Sequence, residues 1–228
     1  MDNPVFPKAV VFDLDGTLID NSSFMVDAYF SGMLELGYEP KDRDFIRLQL
    51  GKSTFDIGRA LGLKDSDLRK LDTYFWTFFG SFVSDEDKIP IVYPGVQDLL
   101  QLLHKYHIPV AICTSNKSSF ARALMDKISL GSFISTFVGS DDLLDQKPSP
   151  GPVFLALKRL GFEKSSSKDS SFWFVGDTAT DVLAASSAGL SSFVVPEPSR
   201  ISSVKDQNPD FLFDSMVQLL DFVKPVFQ

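Results

Sequence analysis

The chain has 228 residues, 44% apolar and 23% charged, which suits a globular protein of one large domain or a domain plus an insert. A net charge of −8 with no basic stripe excludes a nucleic-acid partner. The single cysteine excludes an internal disulfide and fits a reducing compartment, and the 22 phenylalanines read as core filler.

The amino-terminal stretch MDNPVFPKAV has no basic segment leading into an apolar one, and no long apolar run occurs later. A soluble cytoplasmic protein without a membrane partner is therefore expected. Residues 9–12, Ala-Val-Val-Phe, read as a buried strand. The strand stops at Asp13-Leu14-Asp15-Gly16-Thr17. Strand alternation points both carboxylates the same way, and two anions held together need a cation or a shared proton. A magnesium ion at the carboxyl end of the strand meets that need, and ligands of parallel α/β sheets sit at that end. An Asx turn would account for a lone Asp-Gly, but it leaves the second aspartate and the hydroxyl unexplained.

Between 22 and 37 the apolar residues Phe24, Ala28, Met33, Leu34 and Leu36 recur at helical spacing and end at Gly37. Further helices are predicted over 44–50, 54–61 and 66–82, the last burying Leu68, Leu71, Phe75, Phe78, Phe79 and Phe82. The aromatic run from Tyr74 to Phe79 fits the core of a helical bundle better than a ligand box. No strand pattern interrupts 21–90, so this stretch is an all-helical insert, too long to be a loop.

After Tyr93 strands alternate with helices, the rhythm of a parallel sheet. Pro94-Gly95 opens a helix that runs to 105, followed by a strand at 109–113, a helix at 120–128 and a strand at 133–138. A helix at 149–160 precedes a polar surface linker over 165–171. The strand 172–175, the helix 180–188 and the strand 190–195 come next, then a short edge strand at 211–213 and a closing helix at 215–223. The predicted fold class is α/β: a Rossmann-like parallel sheet core flanked by helices, over 1–20 and 91–228, with the helical domain 21–90 inserted after the first strand.

Three stretches of the sheet part carry further chemistry. Thr114-Ser115-Asn116 follows a strand and leads into a helix, where a hydroxyl and backbone N–H groups cradle a phosphate or simply cap the helix. Lys147, before Pro148, would by itself be a solvated loop residue. Gly176-Asp177, with Asp181 four residues on, follows the strand 172–175 directly. Cys113 reads as a buried strand residue, and His104 and His107, without metal-ligand company, read as structural.

Taken in order, Asp13-Leu14-Asp15-Gly16-Thr17, Thr114, Lys147-Pro148 and Gly176-Asp177 with Asp181 resemble the four motifs of the haloacid dehalogenase superfamily of phosphotransferases. The resemblance spans nearly the whole chain, and chance would yield the first motif about once in a thousand sequences of this composition. It implies that Asp13 is the nucleophile that forms an aspartyl-phosphate, and that Asp15 protonates the leaving oxygen and then deprotonates the attacking water. Asp13, the Asp15 carbonyl and Asp177 would hold Mg²⁺. Thr114, Ser115, Asn116 and Lys147 would bind the phosphate, with Lys147 stabilising charge in the transition state. Asp181 would orient Lys147 or the metal's waters. Dehalogenases of the superfamily lack the second aspartate and P-type ATPases carry threonine there, so Asp15 favours phosphate-ester turnover.

The position of the insert resembles the helical C1-type cap of the phosphoglycolate phosphatase and β-phosphoglucomutase branch, which closes over the site and selects substrate. Leu50-Gly51-Lys52-Ser53-Thr54 resembles that branch's specificity loop, so Lys52 and Ser53, with Arg47 and Arg59, become candidates to touch substrate or else are solvated surface. The implied function is magnesium-dependent hydrolysis of a small phosphate monoester by a monomer or weak dimer. A phosphomutase of the β-phosphoglucomutase type is the alternative. That type usually carries arginine where Thr54 stands and commonly valine at Thr17. A phosphonoacetaldehyde hydrolase would need a lysine at Thr54, and a non-catalytic relative would not keep every motif residue.

Overall fold

The computed structural model describes residues 4–163 and 165–228; the first three residues of the amino-terminal stretch, and Lys164, lie outside them. The chain forms two compact units, Met1–Ile19 with Ile91–Gln228, and Asp20–Pro90.

The first unit is built on a six-stranded sheet. Its strands are β1 (Ala9–Phe12), β4 (Val110–Cys113), β5 (Thr136–Val138), β6 (Phe172–Gly176), β7 (Ser191–Val194) and β8 (Phe211–Leu212). The short strands β2 (Ile19–Asp20) and β3 (Ile91–Val92) flank the points where the chain leaves and re-enters the unit. The sheet order is β5-β4-β1-β6-β7-β8, and every paired strand is parallel. Strands β1, β4, β6 and β7 are buried along their whole length. That burial explains why they read as unbroken rather than alternating apolar runs.

The helices of this unit are α5 (Val96–Lys105), α6 (Ser118–Lys127), α7 (Gly151–Arg159), α8 (Ala179–Ala188), α9 (Ile201–Lys205) and α10 (Met216–Val223). On one face Ala9, Val11, Ala111, Cys113, Phe172 and Phe174 pack against α7 and α8 through Val153, Ala156, Leu157, Ala184, Ala185 and Ala188. Val10 and Phe12 point to the other face by the period-two rule. Register sets Phe12 between Ile112 and Val175, so the carboxyl ends of β1, β4 and β6 lie side by side. The strand order reverses at β1, which is where a ligand crevice forms in open α/β sheets.

The second unit consists of α1 (Ser22–Glu35), α2 (Arg43–Gln49), α3 (Thr54–Ala60) and α4 (Asp65–Ser84). Helix α4 buries Leu68, Leu71, Phe75, Phe79 and Phe82 against α1 and α3. Tyr29 stacks on Phe75 at 4.6 Å and Phe24 on Phe82 at 4.0 Å, so the aromatic run is bundle core. Close helix approach is visible at Gly32, where a Cβ would sit 2.9 Å from both Leu71 and Tyr74.

Several local expectations need correction. Leu34 is exposed, because the inward face of α1 is Met25, Val26, Ala28, Tyr29, Gly32 and Met33, and Phe78 is only half-buried. Of the strand expected over 133–138 only Thr136–Val138 forms, Phe133 closing a 3₁₀ turn that starts at Gly131, and α6 begins at Ser118, where the Asp141 carboxylate accepts the N–H at 2.8 Å. The linker 165–171 is tied down at its end: Asp169 accepts from the Ser171 hydroxyl at 2.6 Å, and Ser171 is buried. Helix α9 is absent from the sequence reading. Among the described residues, no helix is long and apolar enough to cross a membrane.

Candidate active site

Asp13 continues the alternation of β1, and its N–H still joins the ladder, donating to the Val175 carbonyl at 2.8 Å. Its side chain therefore falls on the face of Val11, where α7 and α8 begin. Two elements deliver partners there. The loop before α7 brings Lys147 through a cis peptide to Pro148, and the first turn of α8 brings Asp181. The Lys147 ammonium donates to Asp13 Oδ1 and Asp181 Oδ1, both at 2.7 Å, with only 6% of the lysine side chain exposed. The same ammonium lies 5.6 Å from the centre of the Phe174 ring.

Asp181 is fixed by its other oxygen. Oδ2 accepts from the Asp177 N–H at 3.2 Å, the Thr178 N–H at 3.0 Å and the Thr178 hydroxyl at 2.7 Å. This is the capping pattern that a threonine followed three residues later by an acid encodes. It also requires a residue without a side chain before Asp177, because a Cβ on Gly176 would lie 2.5 Å from that of Asp181.

Asp177 is fully buried. Thr17 donates to its Oδ1 at 3.3 Å and Arg200 to its Oδ2 at 2.5 Å. Gly16 turns beneath it with φ +90°, where a Cβ would meet Oδ2 at 2.6 Å, so both the conformation and the space demand glycine. Asp13, Asp177 and Asp181 each present a carboxylate oxygen within 4.8 Å of the others.

Asp15 faces β4. Asn116 Nδ2 donates to its Oδ2 at 2.5 Å, and the Thr114 hydroxyl lies 3.5 Å from the same oxygen. Thr114 Oγ1 also accepts the Asn116 N–H at 3.1 Å, and Ser115 between them is half-buried. This turn is braced from behind, since Ser140 N–H donates to the Asn116 carbonyl at 2.8 Å. Gly139 admits no side chain there, a Cβ falling 2.2 Å from the Ser118 nitrogen.

Burial raises the Asp13 carboxyl to about 6, against the pull of Lys147, with Asp181 adding to the rise. Burial and then the neighbouring Asp181 and Asp13 lift Asp177 well above the usual carboxylate range, against Arg200 and Lys147. Burial alone would lower Lys147, but Asp13 and Asp181 outweigh it and hold it above its usual value. Burial pushes the Cys113 thiol up to about 12, so it stays protonated and inert. Three buried carboxylates against two cations is an arrangement short of positive charge. Hard oxygen donors and an excess of anion fit a divalent cation such as magnesium rather than a thiophilic metal.

The structure thus brings Asp13, Asp15, Thr114, Asn116, Lys147, Asp177 and Asp181 together. Arg47, Lys52, Ser53 and Arg59 belong to the helical unit. There Arg47 donates to the Ser22 hydroxyl at 2.5 Å, Lys52 to Gln49 at 2.8 Å, and Ser53 caps α3. Arg59 pairs with Asp56 and Asp65, and Thr54 is buried and bonded to Tyr29. Two participants escape the sequence reading. Thr17 is conspicuous there only as part of a motif, and Arg200 follows Pro-Glu-Pro-Ser in what reads as a surface turn.

The family model described as haloacid dehalogenase-like hydrolase matches residues 10–195. A phosphoglycolate phosphatase of Pseudomonas fluorescens (strain Pf0-1) is 33% identical over 188 residues, covering 81% of this chain and 67% of its own. A phosphoglycolate phosphatase of Rhodospirillum rubrum is 30% identical over 227 residues, covering 95% and 91%. Among solved structures, a β-phosphoglucomutase of Clostridium difficile superimposes with a TM-score of 0.77 at 15% identity, covering 97% of each chain, a likeness of fold.

Proposed function

The chain belongs to the haloacid dehalogenase-like hydrolases, and from that premise we propose that it is a magnesium-dependent phosphatase acting on a small phosphate monoester through a phospho-Asp13 intermediate. The observation that carries this reading is the buried Asp13 held by Lys147 beside Asp177 and Asp181, with Asp15 braced at the next strand end. Lys147 favours the carboxylate form of Asp13, the form that can attack phosphorus. The Asp15 carboxyl hands a proton to the departing ester oxygen and later takes one from the water that cleaves the aspartyl-phosphate, while Asn116 holds its Oδ2. Thr114, Ser115 and Asn116 hold the phosphoryl oxygens, with Lys147 opposing their charge. Asp13, the Asp15 carbonyl and Asp177 would hold magnesium, with Asp181 fixing Lys147. When bound, the ion supplies positive charge to the phosphoryl group as charge builds on its oxygens.

The segment 21–90 serves as the cap in this proposal, with Arg47, Lys52 and Ser53 as its contacts to substrate. The names of the relatives point to a short phosphorylated acid such as phosphoglycolate; sugar phosphates and nucleotides are the other classes to test. The test is phosphate release from a panel of these esters with and without magnesium. Magnesium-dependent release from at least one supports the proposal. Turnover that survives exhaustive chelation would overturn the metal assignment. Rapid isomerisation of β-glucose 1-phosphate with a trace of the 1,6-bisphosphate, releasing little phosphate, would replace the hydrolase with a mutase.

A further inference from the structure

Asp177 differs from the other two carboxylates of the cluster in its counter-ion. Lys147 serves Asp13 and Asp181, whereas the ion pair of Asp177 is made by Arg200, from outside the four motifs. Arg200 is not a wandering surface side chain. Its own N–H donates to the Glu197 carbonyl at 2.8 Å, and its carbonyl accepts the Ser203 hydroxyl at 2.9 Å. It opens α9, which is pinned to the sheet by Val204 packing on Val182 and Val194. Only 13% of the arginine side chain is exposed, and its guanidinium sits 2.5 Å from Asp177 Oδ2. The other oxygen receives the neutral Thr17 hydroxyl, which leaves a lone pair for a metal.

Resting on the reading that the cluster takes a divalent cation, we propose that Arg200 is the built-in counter-ion of Asp177. It fixes the orientation of that carboxylate before a cation arrives, and it competes with the cation for the same oxygen pair. A guanidinium held against a ligand carboxylate weakens divalent binding by like-charge repulsion, and it removes the cost of an unpaired buried anion in the metal-free protein. Arg200 is therefore a positioning residue whose effect is to keep metal binding loose and exchangeable.

The test is calorimetric titration of Mg²⁺ at pH 8 into wild type, Arg200→Gln and Arg200→Lys, with melting of each metal-free protein. Arg200→Gln should bind magnesium about tenfold more tightly, the scale expected when one charge is removed near a divalent ion. Its metal-free form should melt several degrees lower. Arg200→Lys, which restores the charge, should return affinity to within about threefold of wild type. A merely structural arginine would lower stability without tightening metal binding. If Arg200→Gln folds only with metal, chelator extraction from the loaded proteins makes the comparison, and wild type should give up its ion at the lower chelator concentration. Equal or weaker binding by Arg200→Gln overturns the proposal. A wild type that binds no magnesium overturns the metal reading itself, and this inference with it.

Discussion

The two units handle charge in opposite ways. In the sheet unit the ionised groups of the strand ends are buried and multiply bonded: Lys147 touches two carboxylates and Asp181 accepts three further bonds. In the helical unit the core is aromatic, and Arg59 and Lys52 sit at the surface, bonded to neighbours on their own or the adjoining helix. Buried charges persist only where every partner is in place, so the sheet unit is preorganised for one chemistry. Exposed charges are loosely held and replaceable, which fits the substrate-selecting role proposed for this unit.

The contrast is broken most severely at Asp13. Asp13→Asn should reduce phosphate release by at least about a thousandfold, since the amide forms no stable acyl-phosphate. The protein should fold, because the amide spans the same space. Phosphate release near the wild-type rate from folded protein would remove Asp13 from the mechanism. Lys147→Met comes next, stripping the cation from Asp13 and Asp181 while keeping an unbranched apolar side chain in its place. Turnover should fall about a hundredfold or more, and urea unfolding should show a loss of about 3–5 kcal/mol from the two unpaired buried carboxylates. A variant as stable as wild type would mean that the buried ion pairs contribute nothing net.

Much of this unit was legible because its chemistry is contiguous with its strands. Asp13, Thr114 and Asp177 each follow a buried apolar run, so the strand end and the functional residue are read together. Arg200 was not legible, because it stands 23 residues after its partner and only the course of β7 into α9 brings it back. Leu34 failed for a different reason. Apolar spacing gives two plausible stripes on α1, and the packing of α4 against Gly32 and Tyr29 chooses between them. The stretch 165–171 reads as a surface linker because the groups that anchor Lys168, the Leu190 carbonyl and the Asp210 carboxylate, come from later in the chain, just before β7 and β8.

The helical unit should answer more gently. Lys52→Ala removes an exposed ammonium bonded to Gln49, so stability should stay within about 0.5 kcal/mol. If the loop contacts substrate, KM should rise about three- to tenfold with kcat unchanged, the mark of lost binding that is equal in ground and transition states. Initial-rate kinetics on the best ester of the panel decide this, and an unchanged KM would return Lys52 to the solvated surface.

The smallest effect is a matter of pH, and it lies at the edge of the sheet unit, where charge is neither fully buried nor free. Asp210 Oδ2 accepts the Ser192 N–H at 2.9 Å and its hydroxyl at 3.0 Å, and Lys168 donates to both oxygens of Asp210. Burial alone would raise this carboxyl, but the bonds from Ser192 and Lys168 outweigh it and hold it below the usual range. A carboxylate depressed in the folded state adds stability that is present above its unfolded value, about 3.9, and that disappears as pH falls through the folded one. The side chain is 37% exposed, so solvent screening trims the contribution to about 0.5–1 kcal/mol. Asp210→Asn should therefore unfold at lower urea than wild type at pH 7, and the gap should narrow as pH is taken from about 4 to 3. A gap of the same size at both ends of that range would show that the amide loses hydrogen-bond geometry rather than charge, and the depressed carboxyl would have no part in holding β8 to β7.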